Sequence, residues 1–264
     1  MYELNFIRRR KAKLIAAIIG GVGTIGVSTL SIAAFLGRSV GSFTISLEAQ
    51  NVQLSLSEKS DFKTRTSFLR LDDVGTFQEY EYWKIKNLSE QIDSEETDYS
   101  IGQNPGDEPT LNFLKYTFFV KNIGSRPARY DLAIKINEIH ASKAGQDFED
   151  TLRVMFFDNG ESEVFAKKSS TPHRNENGEY DYSAPIALDE AHANYYNVEF
   201  EGYATSFLSD EEIAVKEGEK IDIDEVRRYT IVTWLEGERS GGYADSLQGA
   251  TIKLGVEINA YENK

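Results

Sequence analysis

The sequence predicts an all-β protein, a β-sandwich or jelly-roll-like ectodomain, preceded by a single N-terminal transmembrane helix. Three observations lead to this prediction. Apolar and polar residues alternate along most of the chain after residue 42, turn signals such as Asp158-Asn159-Gly160 separate the alternating stretches, and residues 14–36 carry no charge. Alternation with one polar face is typical of an antiparallel sheet. An uncharged apolar run of this length is typical of a membrane helix.

The N-terminal segment is basic, whereas the rest of the chain is acidic. Residues 1–38 hold six basic side chains and one acidic one, a net charge of +5. Because the whole chain has a net charge of −14, the remaining residues carry −19. A helix over 14–36 is about 35 Å long, enough for a hydrocarbon layer of roughly 30 Å. Because basic residues stay on the cytoplasmic side, the cluster at 8–13 places the C-terminal part outside.

The predicted organisation follows from this orientation. It comprises a basic cytoplasmic tail over 1–13, a transmembrane signal anchor over 14–36, a short linker over 37–41 and an extracellular domain over 42–264. Small residues near 31–33 also fit a signal-peptidase site, so a cleaved signal is the alternative. The apolar run exceeds the roughly 7–15 residues of a cleaved signal, which favours a retained anchor in the cell membrane.

The extracellular part is a series of predicted strands. Residues 114–120 and 130–136 alternate clearly, and the Asn, Gly and Pro residues of 122–127 suit a connection between them. These two strands either pair or cross between sheets. Asp158-Asn159-Gly160 predicts a hairpin, and 250–258 is the last alternating stretch.

Two polar insertions interrupt the predicted strands, near 89–110 and 167–194. The first contains seven acidic side chains and no basic one. The second is polar and contains Thr171-Pro172 and Asn175-Glu-Asn-Gly178, which favour irregular connections over a buried strand.

Composition excludes several function classes. The chain has no cysteine, which removes disulfides, thiolate zinc sites and cysteine nucleophiles, and its acidic charge argues against nucleic acid as a partner. His140, His173 and His192 lack the spacing of a zinc protease. We therefore predict that the protein is not an enzyme. A hydrolase with two facing carboxylates is the less favoured alternative, because no feature of the sequence selects such a pair.

No cofactor is predicted, and calcium is the alternative to be weighed. Asp222 and Asp224 share one face if they lie on a strand, and carboxylates are calcium ligands. No twelve-residue calcium loop occurs in the sequence. A solvated acidic surface is therefore the favoured interpretation.

Clustered aromatic residues are candidates for stacking on a ligand such as a sugar. Tyr80 and Tyr82 share one face of a predicted strand, next to Trp83. The other aromatic clusters are Tyr180 with Tyr182 and Tyr195 with Tyr196. Aromatic residues of strands also pack in cores or pair across strands, which is the competing interpretation.

Two segments resemble a known group of surface proteins. Residues 229–237 (YTIVTWLEG) and 249–254 (GATIKL) resemble the C-terminal strand pair of small Gram-positive surface proteins, and 116–124 (YTFFVKNIG) resembles their strand before an Asn-x-Gly corner. The group is that of camelysin and the biofilm-matrix fibre proteins. The resemblance implies a membrane-anchored or secreted β-sandwich. Residues 238–242 depart from the group, whose members commonly have Asp-Pro there.

The leading hypothesis is a non-catalytic, single-pass cell-surface protein whose β-sandwich mediates binding or assembly in the envelope or matrix. Its expected partners are the lipid bilayer, through 14–36, and either further copies of itself or another surface protein. Sheet edges and a strand beginning at Ser42 would recruit such copies by strand addition. The alternative is an ectodomain that binds a polysaccharide or a divalent cation.

Overall fold

The computed structural model describes ten stretches of the chain. They are residues 31–36, 41–42, 53–65, 70–71, 76–77, 79–87, 98–102, 110–140, 148–237 and 251–262. Strands predominate among these residues and helices are few and short, so the predicted all-β class is confirmed.

The strands are numbered in chain order. They are β1 (Ser31–Leu36), β2 (Gly41–Ser42), β3 (Leu54–Ser57), β4 (Arg70–Leu71), β5 (Thr76–Phe77), β6 (Glu79–Tyr80), β7 (Asp98–Gly102), β8 (Thr110–Asn122), β9 (Ala128–His140), β10 (Leu152–Asp158), β11 (Glu161–Ala166), β12 (His173–Arg174), β13 (Tyr180–Asp181), β14 (Thr205–Ser206), β15 (Glu212–Ile221), β16 (Val226–Glu236) and β17 (Thr251–Glu262). The α-helices of the described stretches are α1 (Tyr82–Asn87) and α2 (Glu190–Tyr196), and Phe148–Asp150 forms a 3-10 turn.

Two main sheets face each other across one core. The first has the order β1-β17-β9-β15. The second has the order β14-β11-β10-β16-β8-β3, with β5 and β7 also paired to β8 and β6 paired to β16. The long strands pair antiparallel, whereas β5, β6 and β14 join by short parallel pairings. Two small pairs, β2 with β4 and β12 with β13, lie outside the main sheets.

The predicted alternation supplies the core. Leu132 and Ile134 of β9 are buried together with Tyr116 and Phe118 of β8. At the centre, the ring of Tyr229 lies 5.5 Å from the ring of Phe118, measured between centroids. Because β8 belongs to one sheet and β9 to the other, the chain crosses between sheets at 123–127, one of the two arrangements that the sequence allowed.

One buried amide fastens this crossing to a second one. The chain returns from the first sheet to the second at the turn 222–225, between β15 and β16. The Asn122 side-chain NH2 donates to the carbonyl oxygens of Arg126 (2.8 Å) and Ile221 (3.2 Å), and its Oδ1 accepts from the Gly124 N–H at 2.9 Å. The Asn122 backbone also bonds to residues of the turn. The Asn-x-Gly segment noted in the sequence therefore joins two connections.

The N-terminal segment differs from its prediction where the structure describes it. Residues 31–36, the end of the predicted transmembrane helix 14–36, form β1, which pairs antiparallel with β17 from Ser31↔Glu257 to Leu36↔Ile252. The edge of β17 offers backbone groups that need partners, and an apolar segment of small residues can supply them. None of the helices in the ten described stretches has the length and hydropathy to cross a bilayer. Residues 1–30 and 37–40 lie outside the described residues.

The two predicted insertions are described to different extents. Of 89–110, residues 98–102 form β7, which pairs antiparallel with β8, and Thr110 begins β8. The rest of that insertion lies outside the described residues. The second insertion is fully described and folds over the outer face of the larger sheet, and it carries part of the candidate site.

Candidate functional site

A layer of chain covers the outer face of the nine-stranded sheet. We call residues 79–87 and 167–204 the covering layer. Along each strand, the side chains of the outer face alternate with those that face the core, and they form a second buried cluster with the covering layer. The sheet contributes Phe113, Met155, Phe157, Val164, Ala166, Val232 and Trp234, and the covering layer contributes Ile85, Ala184 and Ala204. The nine-stranded sheet is therefore buried on both faces in this region.

A buried carboxylate attaches the first part of the covering layer. Glu236 is fully buried, and its Oε2 accepts from Nε1–H of Trp234 at 2.8 Å and from the backbone N–H of Tyr82 at 3.1 Å. Tyr82 is the first residue of α1, where a negative charge is favourable. The Tyr82 ring also stacks on Trp234, with centroids 5.9 Å apart. Trp234 and Glu236 of the Trp-Leu-Glu-Gly segment thus hold α1 on the sheet.

A buried guanidinium attaches the second part. Arg153 of β10 is fully buried and donates to the carbonyl oxygens of Ile186 and Pro185, both at 3.2 Å, within the covering layer. It also donates to the carbonyl oxygens of Leu152 and Asp150 beside it. Hydrogen bonds to a charged donor are stronger than neutral ones, so Arg153 fixes the layer where it crosses the sheet.

The two parts of the covering layer are bonded to each other. Lys86 of α1 pairs with Glu201 at 2.7 Å, and this bond raises the pKa of the lysine. Burial, with the nearby charge of Glu201, also raises the pKa of Tyr82, which stays neutral at pH 7.

The helix α2 is capped at both ends, by the Asp189 side chain at its N-cap and by Asn197 in the left-handed conformation after its last turn.

The outer surface of the covering layer is rich in exposed aromatic rings. Among the described residues, the most exposed aromatic side chains all belong to this layer, with exposed fractions from 49% to 81%. They are Trp83, Tyr180, Tyr182, Tyr195 and Tyr196, which we call the aromatic surface. Exposed aromatic rings on an otherwise polar surface are candidates for contact with a ligand or partner.

Cationic and aromatic neighbours hold several of these rings in place. The guanidinium of Arg174 lies 4.4 Å above the Tyr180 ring, and Nζ of Lys84 lies 5.2 Å from the Trp83 ring. Tyr195 and Tyr196 meet edge to face with their centroids 5.0 Å apart. Four of the five exposed rings therefore have a cationic or aromatic neighbour within about 5 Å.

A stacked pair with three carboxylates lies between the hairpin β12–β13 and the start of α2. The rings of His173 and Tyr203 are nearly parallel, with centroids 3.4 Å apart. Burial raises the pKa of Tyr203, and the negative charges of Glu190, Asp189 and Asp181 raise it further. Three carboxylates of the covering layer thus act on the partly buried Tyr203 ring.

The structure separates the first predicted aromatic cluster. The expectation that Tyr80 and Tyr82 share a strand face is wrong, because β6 ends at Tyr80 and α1 begins at Tyr82. Tyr80 packs on Phe113, with centroids 5.9 Å apart, and Tyr82 packs on Trp234. Of the three candidates, Trp83 alone is largely exposed, at 50%. Tyr80 and Tyr82 pack against rings of the nine-stranded sheet instead.

The predicted calcium candidates do not share a strand face. Asp222 and Asp224 lie in the turn between β15 and β16, where Asp224 has a φ of 62°. A turn forms there because the chain crosses between sheets. The carboxylate of Asp224 pairs with Nζ of Lys121 at 2.9 Å. Within the described stretches, no group of three or more His, Asp or Glu is arranged to hold a metal.

The attachments Arg153, Trp234 and Glu236 were not found by sequence reasoning. A charged residue in an apolar strand indicates a position that faces solvent, because burying a charged side chain is costly unless that side chain is hydrogen-bonded. The sequence did contain one signal for Glu236. Side chains two residues apart on a strand share a face, which places Glu236 on the same face as Val232 and Trp234.

Comparisons with known proteins identify no relative. The sequence matches no family model, and no curated protein and no solved structure gives a significant match.

Proposed function

We propose that this protein is a non-catalytic cell-surface binding protein, whose extracellular β-sandwich presents the aromatic surface to a component of the envelope or matrix. One observation carries the proposal. Five exposed rings lie on a covering layer that buried bonds from Arg153 and Glu236 fasten to a sheet. Rigid aromatic side chains give large contact areas at a low entropy cost.

The proposed location is the cell membrane, with the N-terminus cytoplasmic and the C-terminal domain outside. The charge-free run and the basic cluster before it support this orientation. Residues 31–36 of the predicted span pair with β17, so the proposed anchor relies on the charge-free residues before them. The resemblance to Gram-positive surface proteins supports the same location.

Labelling of single cysteines tests the location, because the natural chain has none. Full-length Ala12→Cys and Leu208→Cys variants are exposed to a membrane-impermeant maleimide in intact cells. We expect label at position 208 before permeabilisation and at position 12 only afterwards. Label at 12 in intact cells contradicts the orientation, and loss of residue 12 from the mature protein identifies a cleaved signal.

A matched pair of variants tests binding. The first replaces four exposed tyrosines by alanine, at Tyr180, Tyr182, Tyr195 and Tyr196. The control replaces four exposed aliphatic residues outside the covering layer by alanine, at Ile123, Leu208, Ile223 and Val226. Full-length proteins in detergent micelles are mixed with insoluble envelope material from the source cells. We expect the tyrosine variant to lose retention by roughly tenfold or more while the control binds as wild type. Equal retention of both variants overturns the proposal.

Self-assembly through a sheet edge is the competing function, and the edge strand β15 argues against that route. Lys216, Glu217, Glu219 and Lys220 place charges along it. Gly218 has a φ of 67° and interrupts the register, with its N–H donating to Asp131 at 2.7 Å. Charges and bulges are the features that protect an edge from strand addition. The predicted strand beginning at Ser42 is described only at Gly41–Ser42, which pairs with β4.

A further inference from the structure

The chain contains two Asn-Gly pairs, and both lie in exposed turns between strands. Asn159-Gly160 joins β10 to β11, and Asn177-Gly178 joins β12 to β13. Asparagine is a thermolabile residue, and it is most reactive before glycine, whose backbone nitrogen is not shielded by a side chain of its own. The two pairs have the same residues and are both exposed, so the sequence alone predicts that they react alike.

Deamidation begins at the backbone nitrogen of the glycine. This nitrogen loses its proton and bonds to Cγ of the asparagine, the bond from Cγ to Nδ2 breaks, and the departing NH2 group takes up a proton and leaves as ammonia. The product is a cyclic succinimide. Water then opens the ring at either carbonyl carbon, with its hydroxyl on that carbon and its proton on the nitrogen, which gives aspartate or isoaspartate. A carbonyl oxygen that accepts the glycine N–H opposes the first step, because that hydrogen bond holds the proton.

Hydrogen bonds hold Gly178 on both sides. Its N–H donates to the carbonyl oxygen of Asn175 at 2.9 Å, and its own carbonyl oxygen accepts from the guanidinium of Arg174. Oδ1 of Asn175 also accepts from the backbone N–H of Asn177 at 3.0 Å and from that of Glu179 at 2.9 Å. An attack by the Gly178 nitrogen therefore requires this turn to open first.

The Gly160 nitrogen is not held in this way. Asn159 and Gly160 have φ of 50° and 98° and form a two-residue turn, and the strand pairing beside it joins Asp158 to Glu161. Within the described stretches, no group accepts the Gly160 N–H. The Asn159 side chain donates from Nδ2 to Oδ1 of Asp158 at 3.2 Å, a bond that leaves the Gly160 nitrogen free.

We propose that Asn159 is a site of spontaneous deamidation in the folded protein, and that the hydrogen bonds of 175–179 protect Asn177. The modification alters a contact between the two sheets. The carboxylate of Asp158 accepts from Asn159 and from Nζ of Lys216 in β15, at 2.7 Å. Deamidation replaces the first donor by a second carboxylate, and isoaspartate also lengthens the backbone of the turn. This inference does not depend on the proposed binding function.

The test follows both asparagines in one sample. Full-length protein in detergent micelles is incubated in mildly alkaline buffer, and a second sample is incubated in a urea concentration that unfolds it. Peptides that contain residue 159 or residue 177 are then analysed by mass spectrometry for succinimide, aspartate and isoaspartate. Asn175→Ala accompanies the wild type, because it removes the two bonds to Oδ1 that hold the turn around Gly178.

We expect Asn159 to react roughly fivefold or more faster than Asn177 in the folded protein, because only Gly178 must first give up a hydrogen bond. In urea the two rates should be similar. Asn175→Ala should accelerate the reaction at Asn177 and leave the rate at Asn159 unchanged. An Asn177 that reacts as fast as Asn159 in the folded protein overturns the inference. So does an Asn159 that reacts in urea but stays intact in the folded protein.

Discussion

Two threonines of β16 lie three residues apart and on opposite faces of the sheet. Thr230 faces the covered side, where its hydroxyl is 2.9 Å from the hydroxyl of Thr117. Thr233 faces the core beside a small cavity lined by Leu114 and Leu254, and its buried hydroxyl has no hydrogen-bond partner among the described residues. A buried hydroxyl without a partner costs about 1–3 kcal/mol.

Replacement of each threonine by valine should therefore have opposite effects. Thr233→Val removes an unsatisfied hydroxyl and should raise the free energy of unfolding by about 1 kcal/mol. Thr230→Val breaks a hydrogen bond and should lower it by about 1 kcal/mol. Urea denaturation of the full-length variants measures both. A loss of stability for Thr233→Val that matches the loss for Thr230→Val contradicts this account.

A buried tyrosine pair makes stability sensitive to alkaline pH. The hydroxyls of Tyr130 and Tyr229 hydrogen bond to each other between the two sheets, and burial raises the pKa of both above the ordinary value of about 10. Above pH 10 the unfolded chain loses these protons and the folded chain keeps them. The stability that depends on the neutral pair is therefore present below pH 10 and is lost as the pH rises.

Tyr229→Phe should reduce this pH dependence. At pH 7 the lost hydrogen bond lowers the free energy of unfolding by about 1 kcal/mol. Above pH 10 the variant should fall less steeply than the wild type, by up to about 1.4 kcal/mol per pH unit. Denaturation curves between pH 7 and pH 11 give both slopes. Parallel slopes for the two proteins would show that Tyr229 does not carry the effect.

At the scale of elements, Asn122 joins the two crossings between sheets. Asn122→Ala removes three hydrogen bonds and leaves buried carbonyl and amide groups without their partner, so the free energy of unfolding should fall by about 3 kcal/mol. Asn137→Ala, at an exposed position of β9, should stay within about 0.5 kcal/mol of wild type. A cost for Asn122→Ala no larger than that of the control would rule out this role.

The attachment of the covering layer can be tested separately from the core. Arg153→Met keeps an apolar stem but loses the bonds to Pro185 and Ile186, so amide hydrogen exchange should accelerate in 184–187 and 202–204 while β9 stays protected. Arg129→Met is the control, because Arg129 bonds to Gly218 on the other sheet. Unchanged exchange in the covering layer of the Arg153 variant would contradict the proposed attachment.

For the whole molecule, the sequence predicted the elements whose signal is local. Leu132 and Ile134 alternate and lie in the core, and Asn159-Gly160 forms the expected hairpin turn, with φ of 50° and 98°. It did not predict that 167–204 covers a sheet, because the buried contacts there come from small alanines and from Arg153 across a long sequence separation. The sequence analysis placed Tyr82 and Asp224 on strands, because each lies two residues from a similar side chain. The same spacing also occurs where a strand ends and a helix or turn begins, as it does at both residues.

The central claim is that the aromatic surface binds a component of the envelope or matrix. Its most direct test is hydrogen exchange of the full-length protein with and without bound envelope material. The account predicts slower exchange in 173–183 and 190–203 and no change in the edge strands β1 and β15. Protection at those sheet edges with none in the covering layer would contradict it.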